Sequence, residues 1–350
     1  MTQLILTRRR FVSLGLCCSL VGAIRAADSA AASGSLIDLR GTQLYVEQSG
    51  PRQAPALLYL HGGPGTGGYD FSLFQQQPLS SSIRVIVIDQ RGVLRSGAIG
   101  PGEPFGFEDL IEDCEALRHS LKLERWDVLG HSFGGYLALA YGLKYPHSIS
   151  RLVFENPTWD FNSSGRYLLR REAVAFKSLG RDSDAKEALK IANSPVTTPT
   201  SEVWQGFTRL TNELGKNKDD LYVRGPHKQF FSIVVANSDL SDDVWQRGLQ
   251  QQRLLYREGK VFVSLTPRLG ELKVPSLLIK GLYDPVTAPD QVAADLKRAR
   301  DARLVVFENS AHFAHVEEAA RFANVVQRFV LTGRPPTASR NAGWNGVPAS

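Results

Sequence analysis

Ser132 stands at the centre of Gly130-His131-Ser132-Phe133-Gly134. A serine hydroxyl is a weak nucleophile at neutral pH and needs both a base in contact and a backbone that exposes it. The pentapeptide follows the apolar run Trp126-Asp127-Val128-Leu129 and opens a helical pattern over residues 135–144. That strand-turn-helix setting lifts a serine out on a tight turn. The base is expected after a late strand, with an acid between serine and histidine in chain order. His312 follows the run Arg303-Leu304-Val305-Val306-Phe307, and Asp284 follows Ser276-Leu277-Leu278-Ile279-Lys280. In this scheme Ser132 attacks a carbonyl carbon, His312 takes up and returns the proton, and Asp284 fixes the tautomer and stabilises the imidazolium. Acyl transfer also needs N–H donors aimed at the developing oxyanion. The backbone amides of Gly63, within His61-Gly62-Gly63-Pro64-Gly65, and of Phe133 are the expected donors. A phosphate-binding loop is the rival reading of those glycines, but no lysine-serine/threonine pair follows and Pro64 interrupts the amides.

Each role has a competitor. His315 lies three residues after His312, one turn into the next helix, where a solvent or capping contact is expected. Asp290 follows Pro289 at a helix start, where the helix dipole alone favours a carboxylate. His131 precedes the serine in sequence and is therefore expected to point away from it.

The elements that must hold these residues are legible from hydrophobic pattern. Ser35-Leu36-Ile37-Asp38-Leu39 and Gln43-Leu44-Tyr45-Val46-Glu47 read as two strands turned at Arg40-Gly41-Thr42. Continuous apolar runs at residues 56–60, 85–88 and 126–129 read as strands buried on both faces of a parallel sheet, residues 151–154 as another buried strand, and residues 276–280 and 303–307 as further strands. Helical patterns at 107–121, 135–144 and 316–331 alternate with them, which specifies an α/β fold with a mostly parallel central sheet flanked by helices. Residues 35–158 form a first half of the core and 266–333 a second. Between them, residues 159–265 carry charged helical patterns without a buried strand and read as an inserted helical cap. Residues 334–350, with Pro335-Pro336, read as a disordered tail.

The first 32 residues read as an address. Arg8-Arg9-Arg10, an apolar stretch over 14–24 and the small residues around Ala26 to Ala32 make a signal peptide, and the arginines before Phe11 resemble a twin-arginine export signal. The apolar stretch is shorter than the roughly 20 residues of a spanning helix, so no stable membrane insertion is expected and the protein is placed in the periplasm or outside the cell. Losing Arg8, Arg9, Arg10 and Arg25 takes the formal net charge from +6 to about +2. Nucleic-acid binding then has no electrostatic support. Cys17 and Cys18 leave with the same segment, so Cys114 has no partner for a disulfide and reads as a small core residue beside Leu110, Ile111 and Leu117. The histidines show no ligand spacing with cysteine or carboxylate partners, so neither a metal nor an organic cofactor is expected.

Taken together these motifs resemble the proline iminopeptidases, prolyl aminopeptidases of the α/β-hydrolase superfamily. The resemblance runs over residues 36–331. It rests on His61-Gly62-Gly63-Pro64-Gly65, Asp89-Gln90-Arg91-Gly92 with Ser96, the serine pentapeptide continuing through Gly135-Tyr136-Leu137-Ala138, Gly281 with Asp284, and Ser310-Ala311-His312. It implies an α/β-hydrolase fold and cleavage of an N-terminal proline or small residue from short peptides or amides. Family members read the free amino group with cap glutamates, one of them after a tryptophan. The matching stretch here is Val203-Trp204-Gln205, and glutamine supplies no negative charge. Trp204, Gln205 and Glu172 are the cap residues expected at the substrate, with Glu202, Glu213 and Asp239 as further acids. A carboxylesterase or lactonase built on the same triad is the second reading, and a non-catalytic binding protein the third.

Overall fold

The computed structural model describes residues 34–195, 202–225, 227 and 230–335. The address expected at residues 1–32 and residues 336–350 of the expected tail lie outside the described residues. Among the described residues no helix is long and apolar enough to cross a membrane.

Eight strands form one sheet: β1 (Ser35–Leu39), β2 (Thr42–Ser49), β3 (Ala56–Leu60), β4 (Arg84–Asp89), β5 (Trp126–His131), β6 (Ile149–Glu155), β7 (Ser276–Gly281) and β8 (Ala302–Phe307). Their order is β1-β2-β4-β3-β5-β6-β7-β8. β1 and β2 pair antiparallel, β2 joins β4 antiparallel, and all further neighbours are parallel. Strands β3, β5 and β7 are buried at every residue. This is why their sequences are apolar without alternation: helices cover both faces.

One face packs on α1 (Tyr69–Leu79) and α11 (Ala319–Thr332), through Phe71, Leu79, Phe322, Val326 and Phe329. The other packs on α2 (Phe107–Ser120), α3 (Phe133–Lys144) and α9 (Pro289–Arg298). Cys114 sits in that second core with Leu110, Ile111 and Leu117 and is about 1% exposed.

Between β6 and β7 lie α4 (Phe161–Ser178), α5 (Asp182–Ala192), α6 (Glu202–Glu213), α7 (Phe230–Asn237) and α8 (Asp242–Glu258). Helices α4, α5 and α6 enclose their own apolar cluster, including Leu168, Leu169, Phe176, Ala188, Val203, Phe207 and Leu210. On α6 the buried positions Val203, Phe207 and Leu210 recur at helix spacing and make one stripe.

The single helix expected over 316–331 is two: α10 (Ala314–Glu317) and α11, broken at Glu318 with φ −129° and ψ 51°. The break turns two carboxylates back toward the preceding loop. Glu318 accepts from Asn309 N–H at 3.1 Å and from the Ser310 hydroxyl at 2.7 Å. Glu317 Oε2 accepts from Ala311 N–H at 2.9 Å and Phe313 N–H at 3.1 Å. Hydrophobic period does not register a one-residue break whose cause is hydrogen bonding to another segment.

Candidate active site

Ser132 sits between β5 and α3 at φ 54°, ψ −120°, a left-handed region that costs a non-glycine residue on the order of 1–3 kcal/mol. Surrounding bonds hold it there. Its N–H donates to Glu155 O at 3.0 Å, and its carbonyl accepts from Gly135 N–H at 2.9 Å and Thr158 N–H at 3.2 Å. The glycines on either side make the elbow fit: a Cβ on Gly130 would fall 2.2 Å from Gly134 O across the turn, and one on Gly134 would fall 2.0 Å from Leu60 O at the end of β3. Phe133 opens α3, so its amide is one of the helix-terminal donors without an intrahelical acceptor.

Asp284 and His312 meet at the carboxyl ends of β7 and β8. His312 Nδ1 lies 2.8 Å from Asp284 Oδ1. Asp284 is fully buried, and burial alone would raise its carboxyl. The Lys280 ammonium and the bond to His312 outweigh burial and hold it below the usual carboxylate range. An ionised carboxylate only accepts, so Nδ1 of His312 carries a proton directed at Asp284. Lys280 donates to Asp284 Oδ2 at 2.7 Å and to the carbonyls of Asp284 and Gly281 at 3.0 Å each. The amides of Val286 and Thr287 complete the carboxylate's set at 3.0 and 2.9 Å.

The glycine-rich loop crosses Ser132. A Cβ on Gly62 would lie 2.9 Å from Ser132 Cβ, and Gly63 adopts φ 111°. His61, fully buried, ties this loop to the next: its Nδ1 donates to Gly62 O at 3.0 Å and its Nε2 accepts from Gln90 N–H at 3.0 Å. Gly62 and the start of α3 therefore lie beside the nucleophile.

Behind the pair lies a second one. His315 is fully buried rather than in contact with solvent or a cap. Its Nδ1 lies 3.0 Å from Glu155 Oε1, and its backbone N–H donates to the same oxygen at 2.9 Å. The expectation failed because α10 is a single short turn that carries His315 inward onto Glu155 at the end of β6. His131 does turn under Ser132; its Nε2 donates to His312 O at 3.0 Å, and burial pushes it down to about 3. Asp290 accepts from the Ser163 hydroxyl at the start of α9.

Of the cap residues, Glu172 is fully buried on α4, with one oxygen bonded to the Thr211 hydroxyl and Oε2 without a partner. Burial pushes it up to about 8, the Thr211 bond opposing. Trp204 reaches inward, its indole N–H donating to the Tyr256 hydroxyl at 2.9 Å. Gln205 is exposed. Two residues from Val203 and Phe207, it lies on the opposite side of α6 from the buried stripe. Adjacency to Trp204 in sequence does not put it inside the cap.

Three residues at the site carried no role in the sequence reading. Lys280 ends an apolar strand, and a lysine there is the signal. Glu317 gave no signal, because the N–H donors it meets depend on the break at Glu318. Asn156, at φ 42°, donates from Nδ2 to Ala311 O at 3.0 Å and His312 O at 2.9 Å and accepts from Gly281 N–H at 2.8 Å, so it splices the loops that carry acid and base. Asparagine tolerates the left-handed region better than most residues.

Residues 55–319 match the alpha/beta hydrolase fold family. The chain is 34% identical over 288 residues to a probable proline iminopeptidase of Leptolyngbya boryana, covering 77% of this chain and 84% of the relative. It is 26% identical over 286 residues to a proline iminopeptidase of Pestalotiopsis fici, covering 81% and 94%. In fold it is similar to a proline iminopeptidase-related protein of Thermus thermophilus, with a TM-score of 0.65 at 24% identity over 86% of this chain and 97% of that one. The residue motifs, the sheet order and these matches agree: the chain belongs to the proline iminopeptidase family of α/β hydrolases.

Proposed function

We propose that this protein is an exported serine hydrolase that removes an N-terminal proline, or another small N-terminal residue, from short peptides or amides through an acyl-enzyme. The 2.8 Å contact between His312 and an Asp284 held ionised carries the reading. It leaves His312 Nε2 free to take the Ser132 proton as Oγ attacks the scissile carbonyl carbon. The oxyanion is received by the amides of Gly63 and Phe133. Collapse breaks the C–N bond, and His312 returns the proton to the leaving amine. Water, deprotonated by His312, then attacks the Ser132 ester and releases the N-terminal residue. Glu172 is the cap acid best suited to the substrate's amino group, because its buried Oε2 has no partner. Export is supported by Arg8-Arg9-Arg10 ahead of a short apolar stretch and small residues.

One observation favours a second reading, a carboxylesterase or lactonase on the same triad. A carboxyl pushed up to about 8 is mostly neutral at pH 7, and the cluster around it is apolar. Proline and alanine arylamides assayed beside short acyl esters separate the two. Arylamide turnover supports the peptidase, and ester turnover with no arylamide turnover at any pH sinks it. If a fluorophosphonate fails to label Ser132 in folded protein, catalysis itself is excluded.

A further inference from the structure

Helix α8 touches the glycine-rich loop backbone to backbone. A Cβ on Gly248 would fall 1.8 Å from Gly65 O, and one on Gly65 would fall 2.3 Å from Gly248 O. Around this contact α8 reaches a row of core carbonyls. Gln252 donates to Pro64 O at 3.4 Å, Gln251 to Arg91 O at 2.9 Å, and Gln250 to Ile99 O at 2.9 Å. Arg247 donates to Leu94 O at 3.0 Å. These carbonyls belong to the two loops that His61 joins from below. Glycine weakens a helix interior relative to alanine, so Gly248 is poorly explained by α8 itself. It is well explained by the close approach of Gly65.

We propose that Gly248 is a positioning residue for the oxyanion site: by letting α8 rest on Gly65, it keeps the Gly63 amide in register with Ser132. The inference rests on the reading of Gly63 as an oxyanion donor. The cap then contributes to rate as well as to substrate selection. An alanine at 248 must push the loop or lift the helix, because the atom it meets is backbone on both sides.

The test uses the full chain, purified after export, with p-nitrophenyl acetate and its thiono analogue, in which sulfur replaces the carbonyl oxygen. Sulfur accepts hydrogen bonds poorly, so the oxygen-to-sulfur ratio of kcat/KM reports on the oxyanion donors. Gly248→Ala is expected to lower kcat for the oxygen ester roughly 10- to 100-fold with KM within about twofold, and to lower the ratio at least about tenfold. Gln251→Ala, which removes one bond and adds no atoms, is expected to shift the ratio in the same direction by less, and it decides the matter if Gly248→Ala does not fold. A folded Gly248→Ala, or failing that a folded Gln251→Ala, with the wild-type ratio overturns the proposal. A wild-type enzyme with no preference for the oxygen ester beyond that of uncatalysed hydrolysis overturns instead the assignment of the oxyanion donors. A variant with a lowered melting temperature but an intact ratio counts α8 as structural only, and also overturns the proposal.

Discussion

Two buried histidine–carboxylate pairs lie three residues apart in this chain, and they are built for opposite ends. In His312–Asp284 it is the acid that has a second partner, the ammonium of Lys280. In His315–Glu155 the imidazole has a second acid, since Asp70 Oδ2 lies 3.5 Å from Nε2. Burial would lower His315, but Glu155 and Asp70 outweigh it and push it up to about 10. His315 is therefore a fixed cation at neutral pH and has no lone pair to offer. A histidine hydrogen-bonded to a carboxylate is thus not by itself a base. What meets the other nitrogen, and what balances the acid, decides between catalysis and structure.

The contrast can be broken most directly by paired substitutions. His312→Gln is expected to reduce kcat/KM by roughly 10⁴-fold or more with little change in melting temperature, because Asp284 keeps Lys280; arylamide or ester kinetics and a thermal melt read both. His315→Gln is expected to do the reverse. It leaves Glu155 buried without its cation, at a cost of about 3–5 kcal/mol in denaturant unfolding, while kcat of the folded fraction stays within about threefold. A large kcat loss in a stable His315→Gln protein would erase the distinction.

The pH dependence sharpens it. The folded value of His315 lies above its ordinary one, so its contribution is complete below about pH 6.5 and is lost as pH rises toward about 10. The stability gap between wild type and His315→Gln should narrow across that window, measured by urea unfolding at several pH values. A smaller effect is expected at Asp295, a fully buried carboxyl on α9 with neither oxygen hydrogen-bonded, which burial pushes up to about 7. Its folded form holds the proton longer than the unfolded chain does, so it costs stability as pH rises through about 4 to 7. Asp295→Asn should be more stable than wild type at pH 8 by about 1–3 kcal/mol and gain nothing at pH 4; equal pH slopes would count against this. Smallest of all, Cys114→Ala should leave kcat unchanged and cost about 1 kcal/mol, as a thiol buried among leucines would.

All eight strands and the order serine, acid, histidine were readable from residue pattern: burial on both faces leaves β3, β5 and β7 no choice but apolar runs, and the turn at Arg40-Gly41-Thr42 marked the more exposed β1 and its partner β2. The companions of that set were not. Glu155, Asn156 and Glu317 act through contacts across the tops of neighbouring strands, and no local spacing encodes which loops a sheet order brings together. His315 misled for the same reason: its partner is 160 residues away in sequence. Gln205 misled in the other direction, since a chain neighbour of Trp204 stands on the far side of its helix.

The backbone N–H of Leu265 donates to Trp159 O at 2.8 Å, so the points where the chain leaves the core and returns to it lie side by side. A segment whose two ends meet can be lengthened, shortened or exchanged while the sheet keeps its register. Evolution, or an engineer, could fit this nucleophile with a different roof by cutting at residues 159 and 265. The limit on such a graft would come from α8, whose replacement must again present a bare backbone to Gly65.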